Sequence, residues 1–137
     1  MKRELIQNVK VTPYTSGNAI DREGFLSGIL AISVSAPTGS PTAAAIKVTI
    51  TESDTSDGTF AAVKDKKVVI GETINDSGEV TFAVDKTNGL VSNVDLDLVG
   101  CKRYVKFTCA VSFTGGTTPS STNAYAVALG DPAKMPV

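Results

Sequence analysis

The stretch that most constrains this chain is Arg103 to Phe113, RYVKFTCAVSF. Val105, Phe107, Cys109, Val111 and Phe113 alternate without a break against Tyr104, Lys106, Thr108, Ala110 and Ser112. A period of two over that length places every apolar member on one face of a pleated strand. The chain has no Trp and five Phe, two of them on this face, so the core leans on it. All five apolar members are expected to be buried, with the other segments pairing beside this strand and packing over it.

At 137 residues the chain suits one domain with a core of its own, spanning 1–137. A charge of −1, from 13 basic and 14 acidic residues, supplies no global field for nucleic acid or an anionic membrane. A hydrophobic share of 42% is too high for disorder, and no apolar run is long enough to cross a bilayer. The start, MKRELIQNVK, has basic residues without an apolar segment behind them. That predicts synthesis and folding in a cytoplasm rather than secretion by a signal peptide. Cys101 and Cys109 stand eight residues apart. In one extended strand that is roughly 26 Å, beyond disulfide reach, so both are expected as free thiols.

Taken in order, residues 1–8 read as a charged arm, and Val9 and Val11 alternate as a short strand before Pro13. Tyr14 to Gly24 reads as a loop. Phe25 to Ser35 puts Leu26, Leu30, Ile32 and Val34 on one parity; its β-branched residues and Ser alternation favour strand over helix. After the break APTGSP, Ile46, Val48 and Ile50 alternate with Lys47, Thr49 and Thr51. Asp57-Gly58 marks a hairpin. Phe60 to Val63, Lys67 to Ile70, Glu79 to Val84 and Val94 to Leu98 follow as strands, with a turn at Asn88-Gly89. In Asn123 to Gly130, Tyr125, Val127 and Leu129 share one face. The other face is Ala124, Ala126 and Ala128, small enough for another backbone to lie against it. The tail, about 131–137, carries two prolines. Eight or nine short strands, frequent turns and no amphipathic helix predict an all-β domain: an antiparallel sandwich or flattened barrel, immunoglobulin-like or jelly-roll-like.

Chemistry is sparse. Without His the chain lacks the commonest general base and transition-metal ligand, and no Ser–His–Asp or Cys–His arrangement can form. No phosphate-binding glycine loop is present. Asp95 and Asp97 are the one pair of carboxylates to weigh for glycosidase work, and alternation makes them solvated charges opposite a core face. Glu52, Asp54 and Asp57 lack the spacing of a calcium loop and read as a hairpin tip. Lys102, Arg103 and Lys106 around Tyr104 read as edge solubility, and Lys64, Lys66 and Lys67 as a loop interrupted by Asp65. No catalytic, cofactor-binding or metal residue is assigned, and an enzyme is not expected.

Three stretches carry a resemblance. DLVGCKRYVKFTCAVSFTGGTTPSS, from Asp97 to Ser121, joins a K-R-Y-V start to a long alternating strand and a Gly-Thr-Pro loop. VTITESDTSDGTFAAV, from Val48 to Val63, is a strand, an acidic turn and a returning Phe. The chain ends on an Ala-rich strand and a short tail with proline. Over about its last two-thirds it resembles small virion structural proteins of tailed bacteriophages, of the capsid decoration or auxiliary head type. The resemblance implies a non-enzymatic, homo-oligomeric protein that binds and stabilises a lattice of major capsid protein. It implies neither a nucleic-acid nor a membrane partner. The two ends are then natural docking segments, since extended chain can add to a sheet edge. A neck or tail component and a carbohydrate-binding or adhesion module stay open beside it.

Overall fold

The computed structural model of the chain describes residues 9–132. Nine strands and no helix make up its regular structure: β1 (Lys10–Tyr14), β2 (Ala19–Asp21), β3 (Phe25–Val34), β4 (Ala43–Ser53), β5 (Ala61–Ala62), β6 (Glu79–Ala83), β7 (Leu90–Asp97), β8 (Tyr104–Thr114) and β9 (Asn123–Pro132). One sheet has the order β1-β9-β3-β7; the other runs β2-β8-β4, with β5 and β6 both pairing the far side of β4. Every pairing is antiparallel. The all-β sandwich expected from alternation is the fold found.

The pairings resolve which sandwich it is. β1 meets β9, β2 meets β8, β3 meets β7 and β4 meets β6, as in a single long hairpin of eight strands, with β5 a short extra. Rolling that hairpin sends successive pairs to alternate sheets and brings β9 against β3 and β8 against β4. That is a jelly roll rather than an immunoglobulin arrangement.

Between the sheets lies an aliphatic core: Leu30, Ile32 and Val34 of β3, Ile46, Val48 and Ile50 of β4, Val94 and Leu96 of β7, Val127 and Leu129 of β9. Phe107 of β8 is its largest fully buried side chain, and the Tyr14 ring meets it edge-on at 5.9 Å between centroids. Burial along β8 is uneven. Val105 and Phe107 are enclosed, whereas Cys109, Val111 and Phe113 keep the predicted face but are only partly buried.

The sandwich has two poles. At the first, β1 begins, β9 ends, β4 ends and β8 begins; at the second, β8 ends, β9 begins and the turns 35–42, 84–89 and 114–122 gather. Gly89, with φ of 74°, shapes one of these turns where Asp85 and Gly89 bond each other. A side chain there would run into the Val34 carbonyl.

Several local expectations are corrected. Residues 19–21, read as loop, form β2. Lys67 to Ile70 is no strand; it lies against the β7 edge through one bridge, Val69 to Leu96. The short strand expected at Val9 and Val11 starts at Lys10 and runs through Pro13, and Val11 faces outward, 65% exposed, while Tyr14 turns in. Asp131 and Pro132, placed in the tail, continue β9, where Pro132 pairs with Phe25. The arm 1–8 and the remainder of the tail, 133–137, lie outside the described residues.

Candidate interaction surface

The residues singled out for chemistry do not converge. Asp95 and Asp97 stand exposed on the outer face of β7, where Asp97 accepts a hydrogen bond from the Val99 N–H at 3.1 Å. Glu52 turns inward and is 4% exposed, its two oxygens accepting from the Lys64 N–H at 3.3 Å and the Lys102 N–H at 3.0 Å. Asp54 and Asp57 stay in solvent. Among the described residues no three Cys, Asp or Glu side chains are placed to hold a metal ion.

Four of the cations singled out, Lys66, Lys102, Arg103 and Lys106, lie against neighbours. Arg103 bonds Asp21 at 2.8 and 3.1 Å and pairs with Glu23 at 2.9 Å; the guanidinium beside it holds the Asp21 carboxyl below the usual carboxylate range. Lys102 lies 3.4 Å from Asp54, Lys106 sits 4.0 Å from the centre of the Phe60 ring, and Lys66 pairs with Asp76.

Glu52 is the residue whose role the acidic-loop reading missed. It has the parity of Ile46, Val48 and Ile50, so continuing the alternation by one step turns it inward. Beside it Arg22 donates to the carbonyls of Lys102, at 3.0 Å, and of Cys101. Together they staple the loops of the first pole. Cys101 is buried there as a free thiol, pushed up to about 12 by burial; Cys109 is also free, and burial raises it to about 11.

The two outer faces of the sandwich differ in kind. On the β8–β4 sheet the exterior carries Lys106, Thr108, Lys47, Thr49, Thr51 and Glu79, with Lys47 and Glu79 paired at 2.9 Å. On the other sheet, register stacks Val11, Ala128 and Ile29 in one row, Pro13, Ala126 and Ala31 in the next, and Ala124 beside Ser33 in a third. None of these positions is charged. Acid appears only at the margin, where β7 adds Asp95 and Asp97, and Val91 closes that margin 85% exposed. A shallow depression of about 220 Å³ lies between Val91 and the β9 alanines. The Ala face of β9 was expected to be covered by another backbone. No described element covers it.

Neither a protein-family model, nor a curated protein, nor a solved structure matches the chain.

Proposed function

We propose that this chain is a non-enzymatic structural protein of a tailed-phage virion, a capsid decoration or auxiliary head protein that binds and stabilises the lattice of major capsid protein. Jelly rolls host many unrelated functions, so the fold alone decides nothing. The observation that carries the reading is the outer face of the β1-β9-β3-β7 sheet: uncharged across β1, β9 and β3, made of Val11, Pro13, Ile29, Ser33 and alanines, and bordered by exposed Val91. A solvated sheet exterior ordinarily carries charge, as the opposite face does. One that omits charge suits burial against a partner.

Area sets a limit on that role. Three strands ~4.8 Å apart and about six rises of ~3.4 Å make the face roughly 14 Å by 20 Å, ~290 Å². A standard interface buries about 800 Å² on each partner. The face therefore supplies about a third, and the rest falls to loops or to the terminal segments.

Co-sedimentation with purified shells lacking the protein tests this. Full-length protein should bind saturably, in a fixed ratio to the shell protein. Ala126→Arg, in the middle of the uncharged face, should abolish sedimentation while leaving the fold intact, and Thr49→Arg on the opposite face should not. Protein that stays in the supernatant yet is retained on a glycan column would transfer the chain to the adhesion class.

A further inference from the structure

We infer that Asn88–Gly89 is a latent self-modification site: the Asp85–Gly89 turn blocks succinimide formation in the folded protein, and unfolding releases it.

The chemistry needs no partner but water. Gly89 N gives up its proton and attacks Asn88 Cγ, closing a cyclic imide, and Asn88 Nδ2 leaves as ammonia. Water then opens the ring at either of its carbonyls. One opening leaves aspartate. The other leaves isoaspartate, in which the main chain runs through Cβ and Cγ and is longer by an atom. Asn-Gly suits this reaction because glycine has no Cβ to crowd the attacking nitrogen. The chain holds this dipeptide once, and it holds Asp-Gly once, at Asp57–Gly58, where the same ring closes with loss of water.

The Asn88 side chain is exposed, so water reaches its amide. What the turn withholds is the nucleophile. The Gly89 N–H donates to the Asp85 carbonyl at 2.8 Å, and the Gly89 carbonyl accepts from the Asp85 N–H at 3.2 Å. Gly89 is buried, and a Cβ on it would meet the backbone of Val34, Ser35 and Ala36. Its nitrogen therefore cannot swing toward Cγ unless the turn opens. Loss of its proton is opposed as well. The Asp85 carboxylate accepts from the N–H groups of Thr87 at 2.7 Å and Asn88 at 2.9 Å, and these bonds hold it below the usual carboxylate range. A negative charge fixed there disfavours another on a neighbouring amide nitrogen.

Asp57–Gly58 lacks these restraints. Both residues are exposed, and the Gly58 N–H reaches the Thr55 carbonyl only at 3.4 Å. A Cβ on Gly58 would meet only side-chain atoms of Thr55 and Ser53. This step is an internal reference, reacting at much the same rate in the folded and unfolded chain. The consequence at Asn88 is also particular to its turn. Isoaspartate there lengthens a loop whose ends, Asp85 and Gly89, bond each other in both directions, so both bonds cannot re-form together. Each unfolding event thus opens the chain to a change that the fold cannot take back.

This inference stands independently of the virion reading, and its test needs no capsid. Full-length protein is held in near-neutral buffer and, in parallel, in denaturant at the same pH. Peptide mapping by mass spectrometry follows both sites. Conversion at Asn88 should be at least about tenfold slower in the folded protein, as a locally closed turn protects, while Asp57 converts alike in both. Asp85→Ala removes the carboxylate but keeps the backbone bonds, and should speed Asn88 conversion in the folded protein. After removal of denaturant, chains with isoaspartate at position 88 should fail to refold. Asn88→Asp, with the same charge on an ordinary backbone, should refold. Folded protein that converts at Asn88 as fast as unfolded overturns the inference. So does a folded Asp85→Ala variant no faster than the parent, or isoaspartate protein that regains the parent's melting transition. If Asp85→Ala fails to fold, the parent decides: equal rates at Asn88 with and without denaturant overturn it.

Discussion

The two poles of the sandwich hold the same strand, β8, in different ways. At the first pole it is enclosed. Phe107 is buried under Tyr14, and the loops on either side are stapled by Arg22 to the carbonyls of Cys101 and Lys102 and by Glu52 to the N–H groups of Lys64 and Lys102. At the second pole β8 keeps its pairing with β4 but loses β2. Val111 and Phe113 are partly covered, and the loops there bond mainly to each other, as Thr38 does to Ser120 at 2.9 Å. The difference teaches that an unbroken alternation specifies a face but not its depth of burial. Depth depends on what the other layer and the neighbouring strand place opposite each rung.

The largest expected effect contrasts the two Phe residues of that strand. Phe107→Ala should cost about 3–5 kcal/mol, the range for a fully enclosed ring. Phe113→Ala should cost only about 1–2 kcal/mol, because part of its ring is already in water. Denaturant midpoints measure both, and equal losses would break the contrast. Next comes the staple. Glu52→Ala leaves two partly buried N–H groups without acceptors and should cost about 2 kcal/mol, seen as a lower melting temperature and faster proteolysis at loops 63–66 and 98–103.

Tyr14→Phe is smaller, about 1 kcal/mol for the lost hydroxyl bonds, and it carries a pH signature. Burial pushes the Tyr14 phenol up to about 12, against a backbone bond to Phe107 that pulls it down. A pKa raised on folding gives stability that is fully present below the unfolded value of about 10 and is lost as pH rises through the folded one. Cys101 and Cys109, raised to about 12 and about 11, act in the same direction from about pH 9 upward. Alkaline titration should therefore destabilise the protein, and Tyr14→Phe should remove the tyrosine's share. The smallest effect is from reductant. Both thiols are free, so the melting temperature should not move, while Cys109 should react with a thiol reagent before the buried Cys101.

The strands that alternate over eight or more residues, β3, β4, β8 and β9, were legible because each has one apolar and one small or polar face. β2 was not, since Ala19, Ile20 and Asp21 show no period; it is a strand because Arg22 N–H finds the Arg103 carbonyl and Tyr14 finds Phe107, contacts across some 80 to 90 residues of sequence. The same non-local pairings separate a jelly roll from an immunoglobulin sandwich, so strand counting left both open. The uncharged sheet exterior was half visible, as the alanines of β9. Its full extent needed the register that sets Val11, Ala128 and Ile29 in one row.

Residue-resolved amide hydrogen exchange along β8, in dilute monomeric protein, tests the contrast of poles most directly. Val105, Phe107 and Cys109, each bonded at the outer edge, should exchange slowly. Val111 and Phe113 should exchange at least about a hundredfold faster, as amides open to solvent do. Uniform protection from Val105 to Phe113 would contradict the account, because the second half of the strand would then be as closed as the first.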